Sequence, residues 1–230
     1  MTFERDHERH ILMAREVIRN EARALEETAK ELGRDFVTAV EMVARVSGQV
    51  ITLGVGKSGH VAAKIAAMFA STGTPASYLH AGDAVHGELG GLRKGDVAIA
   101  ISHSGETPEI VALLPVIKRF EVPIIAITDV RRSTLSLVAN VVIIPGETSA
   151  ADPIGLAPTA STAAAMAIGD AIALAVAQHK GFAVSDFEHH PGGALGKLLE
   201  SVYGPPGGVQ PPIGGRPKPG DDKFSGTADP

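Results

Sequence analysis

Apolar residues recur at three- and four-residue spacing through the first thirty positions, at Ile11, Ala14, Ile18, Ala22 and Leu25, with charges between them. That period predicts a long amphipathic helix over residues 3–32. A second helix is expected over 34–46, with Gly48 as its C-terminal stop. The pattern then changes. Short β-branched and apolar runs at 50–55, 77–80, 97–102, 123–128 and 141–144 read as five strands. Helical segments at 58–70, 107–119 and 133–139 separate them, and helices over 156–179 and 195–201 close the domain. Strands alternating with helices, and apolar enough to be covered on both faces, predict an α/β class: a three-layer αβα sandwich around a five-stranded parallel sheet.

Composition narrows the range of functions. With 230 residues, 44% hydrophobic and 20% charged, the chain suits one globular domain with a core of its own. The absence of cysteine excludes disulfides, thiolate metal sites and a cysteine nucleophile, and suits a reducing, cytoplasmic setting. The amino terminus mixes acids and bases without an apolar run, so no signal peptide is expected. The most apolar stretch, 162–177, is shorter than the roughly 20 residues that span a bilayer and contains Asp170, so it reads as a buried helix and no membrane partner is expected. A net charge of −5 with no basic run argues against a nucleic-acid partner. From Gly204 onward, 14 of 27 residues are Pro or Gly and no period survives. A folded domain over 1–203 followed by a disordered tail over 204–230 is therefore expected.

Candidate chemistry concentrates in two loops that follow strands and open helices. Gly54-Val55-Gly56-Lys57-Ser58-Gly59 fits the G-x-G-x-x-G dinucleotide fingerprint and equally a general phosphate cradle. A nicotinamide site would want an acid at the end of the second strand, where this chain has His80, with Asp83 the first acid beyond. A P-loop would need glycine at position 51, which is Ile51. The second loop, Ser102-His103-Ser104-Gly105-Glu106-Thr107, puts three hydroxyls before a helix, where unpaired N–H groups and the helix dipole attract an anion. The competing reading is an ordinary serine cap with a nearby acid. A third polar cluster, 158–162, adds Thr159, Ser161 and Thr162. In such sheets ligands sit beyond the carboxyl ends of the strands, where both loops must lie.

Nine histidines are the other resource, with His80, His86, His103, His189 and His190 in expected loops. A solvated surface role competes with a catalytic one at each. His80 with His86 or Asp83 would offer donors to zinc, although the spacing matches no strong metal motif.

Five segments taken in order, GVGKSGHVAAKIAAMFASTGTP, HAGDAVHGELG, AISHSGETPEI, GLAPTASTAAAMAIGDA and HHPGGALGK, resemble the sugar isomerase (SIS) domain of D-arabinose 5-phosphate isomerases, over about residues 16–199. The resemblance implies a homotetramer with active sites between subunits and reversible aldose–ketose conversion of a sugar phosphate, with no cofactor required. Many members continue into paired CBS modules, which are not expected here. By the same resemblance Lys57, Glu109 and His190 fall on catalytically relevant positions, with Glu109 as base, Lys57 as electrostatic partner and His190 as ring-opening acid. His86 falls on a substrate-contacting and catalytic position, and His80 on a metal-binding one. Gly73 and Thr74 match a substrate-contacting pair. Ser58, Ser102, His103, Ser104 and Thr107 belong to the substrate-binding loops. One departure stands out: the family glutamate ahead of the Pro-Leu-Gly-Leu-Ala-Pro-Thr segment is Ala150 here, with Glu147 and Asp152 as the nearest acids. The expected function is an isomerase of arabinose 5-phosphate, ribulose 5-phosphate or a related sugar phosphate; the alternative is a sugar-phosphate sensor without turnover.

Overall fold

A computed structural model describes residues 3–84, 87–146 and 157–183, with side chains from residue 7 onward. The β-branched runs form the strands that their composition favours. These are β1 (Val50–Gly54), β2 (Ala76–His80), β3 (Val97–Ile101), β4 (Ile124–Ile127) and β5 (Val141–Ile143). They pair in parallel in the order β2-β1-β3-β4-β5. Thr52 is in register with Tyr78 and Ile99, and Ala126 with Ala100 and Val142. The carboxyl ends therefore lie along one edge, as the α/β reading requires.

The helices are α1 (Phe3–Glu31), α2 (Arg34–Ala44), α3 (Gly56–Ser71), α4 (Ala81–Ala84), α5 (Pro108–Arg119), α6 (Thr134–Val138) and α7 (Thr159–His179). Side chains of successive strand residues point to opposite faces. Val50, Val97, Ile99, Ile125 and Val141 pack against α2, α3 and α7 on one face. Ile51, Leu53, Ala98, Ala100, Ile124 and Ala126 pack against α4, α5 and α6 on the other. Both faces are thus covered, giving the expected three layers. Each fully buried aliphatic side chain, such as Ile99 or Ile125, contributes roughly 1.5–3 kcal/mol of apolar burial.

Helix α7 is 21 residues long and apolar enough to cross a membrane by length and composition, but half of its apolar window is buried inside the fold. Ala164, Ile168, Ile172 and Val176 form its core-facing stripe. Where α7 crosses α3, Gly169 leaves room for Ile65: an added Cβ would sit 2.2 Å from Ile65 Cδ1. Lys64 and Asp170 form an ion pair beside that crossing.

Three details differ from the sequence reading. Helix α2 ends at Ala44, and Gly48 is not its cap. Its N–H donates to the Gly95 carbonyl, and a Cβ there would meet Asp96 Oδ1 at 2.1 Å, so this glycine serves a close backbone approach. Helix α4 and a 3₁₀ turn at Glu88–Gly91 occupy a stretch expected to be loop. Among the described side chains of α1 only Ala24 and Thr28 are buried, whereas the expected stripe residues Ile11, Ile18 and Leu25 are exposed. Ala24 packs on Ala160 and Thr28 donates to the Pro145 carbonyl, so contact is made one position off the predicted stripe. The described core belongs to a compact unit over Met1–Phe182. The expected helix at 195–201, the boundary at 203 and the tail lie outside the described residues.

Candidate active site

The chain leaves β1 for β2 on one side of the sheet and returns to β3 on the other. A crevice at the carboxyl ends follows from that reversal. A cavity of about 250 Å³ lies there, lined by Val55, Lys57 and Ser58 after β1, Ile101 and His103 at β3, and Ile127 and Asp129 at β4. The start of α7 completes it with Pro158, Ser161 and Thr162. A neighbouring cavity of about 380 Å³ shares Lys57, Val61, Pro158 and Thr162 and extends to Glu21 of α1 and Met166 of α7. Lys57 thus sits between the two.

Glycine makes the first loop tight. A Cβ on Gly54 would lie 2.5 Å from the Ser58 carbonyl oxygen, and one on Gly59 would lie 2.6 Å from the Tyr78 hydroxyl. Helix α3 can therefore start directly from the strand, at Gly56 with φ +58°. No side chain caps this helix at Val55. Its first-turn N–H groups have no partner within the helix, and Lys57 and Ser58 of that turn line the cavity.

The second loop is closed by its own side chains. Ser102 Oγ and Thr107 Oγ1 are hydrogen-bonded at 2.7 Å, and the Gly105 N–H donates to Ser102 Oγ at 3.0 Å. Ser102 is only 1% exposed. Of the three expected hydroxyls, these two hold the loop together, and Ser104 is the exposed one; it accepts from the Glu106 N–H at 3.2 Å. Glu106 Oε1 in turn accepts from the Thr134 N–H at 2.6 Å, which ties the loop to the start of α6 and holds the Glu106 carboxyl below its ordinary pKa. At Gly105, φ is +65° and a Cβ would lie 2.0 Å from Ser133 Oγ.

His103 is anchored twice by the loop after β4. Its carbonyl accepts from the Asp129 N–H at 3.1 Å and from Thr128 Oγ1 at 3.2 Å. Its ring Nδ1 lies 3.1 Å from Asp129 Oδ2, with the imidazole 59% and the carboxylate side chain 17% exposed.

Lys57, Ser58 and His103 therefore meet at one cavity. Glu109, in the first turn of α5, is half-buried and does not line it. Gly73 and Thr74 precede β2 and lie at the opposite, amino-terminal edge of the sheet. There Thr74 is buried and its Oγ1 accepts from Lys180 Nζ at 3.1 Å. Burial holds the Lys180 ammonium below its ordinary pKa. Gly73 has φ +81° against the ring of Phe182. His80 is the last residue of β2. Its Nδ1 is buried and without a hydrogen-bond partner, and Asp83 Oδ2, at 3.4 Å, is near enough for an ion pair only if the ring is protonated. Among the described residues no group of three or more His, Asp or Glu side chains is placed to hold a metal ion. His86, His190, Glu147, Ala150 and Asp152 lie outside the described residues.

Asp129 is the site residue that the sequence reading missed. It follows a strand without glycine or a repeated motif, so only the fold brings it to His103. Ser161 and Thr162 were visible as a polar cluster, but the Thr162 hydroxyl is engaged with the Pro158 and Thr159 carbonyls at 2.7 and 2.8 Å.

The arabinose 5-phosphate isomerase KdsD of Escherichia coli K12 is 46% identical over 186 residues, which cover 80% of this chain and 57% of that protein. The same-named protein of Francisella tularensis is 45% identical over 83% of this chain and 59% of its own length. The chain thus spans little more than half the length of the curated relatives it matches. An E. coli CFT073 protein solved in complex with arabinose 5-phosphate superposes with a TM-score of 0.75 at 40% identity, over 77% of this chain and 95% of that one. The SIS-domain family model matches residues 45–175, a span that holds the sheet, both loops and the start of α7, and the chain belongs to the SIS-domain family.

Proposed function

We propose that the chain is an aldose–ketose isomerase of a sugar phosphate, arabinose 5-phosphate and ribulose 5-phosphate or a related pair, working through an enediol. One observation carries this reading: the strand-end cavity holding Lys57, Ser58 and His103 occurs in a chain 46% identical to arabinose 5-phosphate isomerases. The amino-terminal N–H groups of α3 would take the phosphate, because such groups supply donors without a net charge of their own, with Ser104, exposed and like Glu109 not lining the cavity of a single chain, as a further donor.

Isomerisation moves a proton between adjacent carbons while charge builds on the carbonyl oxygen. Lys57, exposed on the cavity wall, is the group to stabilise that oxygen, and Glu109 is the base. His190 is the acid that opens the sugar ring, and His86 is a further substrate contact. In a single chain Glu109 does not line the cavity, and Gly73 with Thr74 lie across the sheet from it. One site containing all of these needs more than one subunit, which supports a homo-oligomer, and we take the tetramer of the family. The exposed apolar residues Ile11, Leu12 and Ile18 of α1 are suited to such contacts. We place the activity in the cytoplasm, in keeping with a chain free of cysteine. Among the described residues His80 and Asp83 give a metal two donors, one short of the three protein ligands that a catalytic zinc takes.

Purified protein is expected to interconvert at least one aldose–ketose pair from a panel of pentose and hexose phosphates. Tight binding of a panel member without conversion would favour the sensor reading, for which the specific motive is Ala150 in place of the family glutamate.

A further inference from the structure

We propose that Asp129 is a positioning residue for His103, and that it presents the imidazole as an acceptor that reads a sugar hydroxyl beside the phosphate. This rests on the sugar-phosphate reading of the cavity. The two residues follow neighbouring strands, β3 and β4, and both line the same cavity. A carboxylate only accepts, so at 3.1 Å it favours a proton on His103 Nδ1. In the neutral ring Nε2 is then the acceptor left for a ligand, and a ring protonated on both nitrogens would contradict the proposal.

Three further points support the role. The Asp129 carboxylate is mostly buried and its own N–H holds the His103 carbonyl, so the ring is fixed from both ends. His103 lines the same cavity as Lys57 and Ser58, so a sugar whose phosphate sits at the start of α3 shares that cavity with the imidazole. The Lys57 ammonium and the first-turn amides of α3 only donate, so an Nε2 lone pair adds an acceptor that a hydroxyl needs and a phosphate does not. Inorganic phosphate should therefore be indifferent to the pair, and a phosphorylated sugar should not.

The test has one readout without ligand and one with it. Nitrogen-15 NMR of the imidazole should find His103 as the Nδ1–H tautomer in the wild-type protein and in Asp129→Asn, whose amide oxygen still accepts. It should find loss of that preference in Asp129→Ala. Titration with arabinose 5-phosphate should show about a 3- to 10-fold weaker Kd for His103→Ala, the worth of one neutral hydrogen bond, with the Kd for inorganic phosphate unchanged. Asp129→Ala should weaken the sugar phosphate similarly, and should add nothing in the His103→Ala background, since it acts through the ring. Asp129→Asn should restore most of the affinity, which a merely structural role would not require. An unchanged tautomer in Asp129→Ala, or equal losses for both ligands, would overturn the proposal. Failure of the wild-type protein to bind any sugar phosphate would instead overturn the proposed function, and with it the hydroxyl contact, while the tautomer result would still report on the pair.

Discussion

Gly105→Ala should destabilise the protein by about 1.5–5 kcal/mol, and the figure can be built from two contributions. The first is backbone: φ is +65°, and a left-handed conformation costs a residue with a Cβ about 1–2 kcal/mol. The second is contact. The new Cβ would lie 2.0 Å from Ser133 Oγ and 2.4 Å from Ser133 Cβ. Ser133 is 1% exposed and caps α6 by accepting from the Ser136 N–H at 3.2 Å, so it has little freedom to move aside. Displacing it forfeits a cap worth roughly 0.5–2 kcal/mol, with overpacking strain of about 1–3 kcal/mol as the alternative outcome. Gly56→Ala is the control: φ is similar at +58° but no atom lies within 4 Å of its Cβ position, so only the backbone cost of about 1–2 kcal/mol remains. Urea unfolding at one fixed protein concentration measures both. If Gly105→Ala proves no less stable than Gly56→Ala, the packing of the second loop on Ser133 is wrong.

Ser104→Ala should weaken sugar-phosphate affinity several-fold, about the net worth of one or two hydrogen bonds, and leave the melting temperature nearly unchanged; an unaltered Kd by calorimetry would remove this hydroxyl from the site. Glu106 should make stability fall in acid: its folded-state pKa is depressed by the Thr134 N–H, so its contribution is present above the unfolded value near 4.5 and is lost as pH falls below it. Glu106→Gln should flatten that part of the stability–pH curve, and an identical curve would contradict the assignment. Ala150→Glu restores the carboxylate of the family pattern and should raise turnover of arabinose 5-phosphate by at least 10-fold if that group is the missing acid–base partner; unchanged turnover would mean that another residue fills the role.

The layer structure was legible because nearly every strand is a short apolar run and the helices between them are separately periodic. All five strands fall within two residues of the expected bounds. The two glycine-containing loops were legible as strand-to-helix turns at the carboxyl ends of β1 and β3 because glycine and serine cluster there. Less legible was how the hydroxyls are used. Ser102, Ser104 and Thr107 look alike in the sequence, but Ser102 and Thr107 bond to each other and only Ser104 remains exposed. Asp129 carries no local signal, since its significance comes from a partner 26 positions away. Gly73 and Thr74 show the complementary case: they read as part of the same site, yet β2 starts where they end, at the other edge of the sheet. The α1 stripe was misread because contact with α7 and the β5 end runs through Ala24 and Thr28 rather than through the larger residues beside them.

The most direct measurement of the central claim is proton NMR of arabinose 5-phosphate incubated with the purified protein in deuterium oxide. An enediol route predicts that the C2 proton signal of the aldose is lost, that ribulose 5-phosphate accumulates to equilibrium with deuterium entering C1, and that Lys57→Ala slows the conversion by about 10²- to 10³-fold. A sugar phosphate that binds the protein yet keeps its C2 proton and yields no ketose, there and with the rest of the panel, would contradict it.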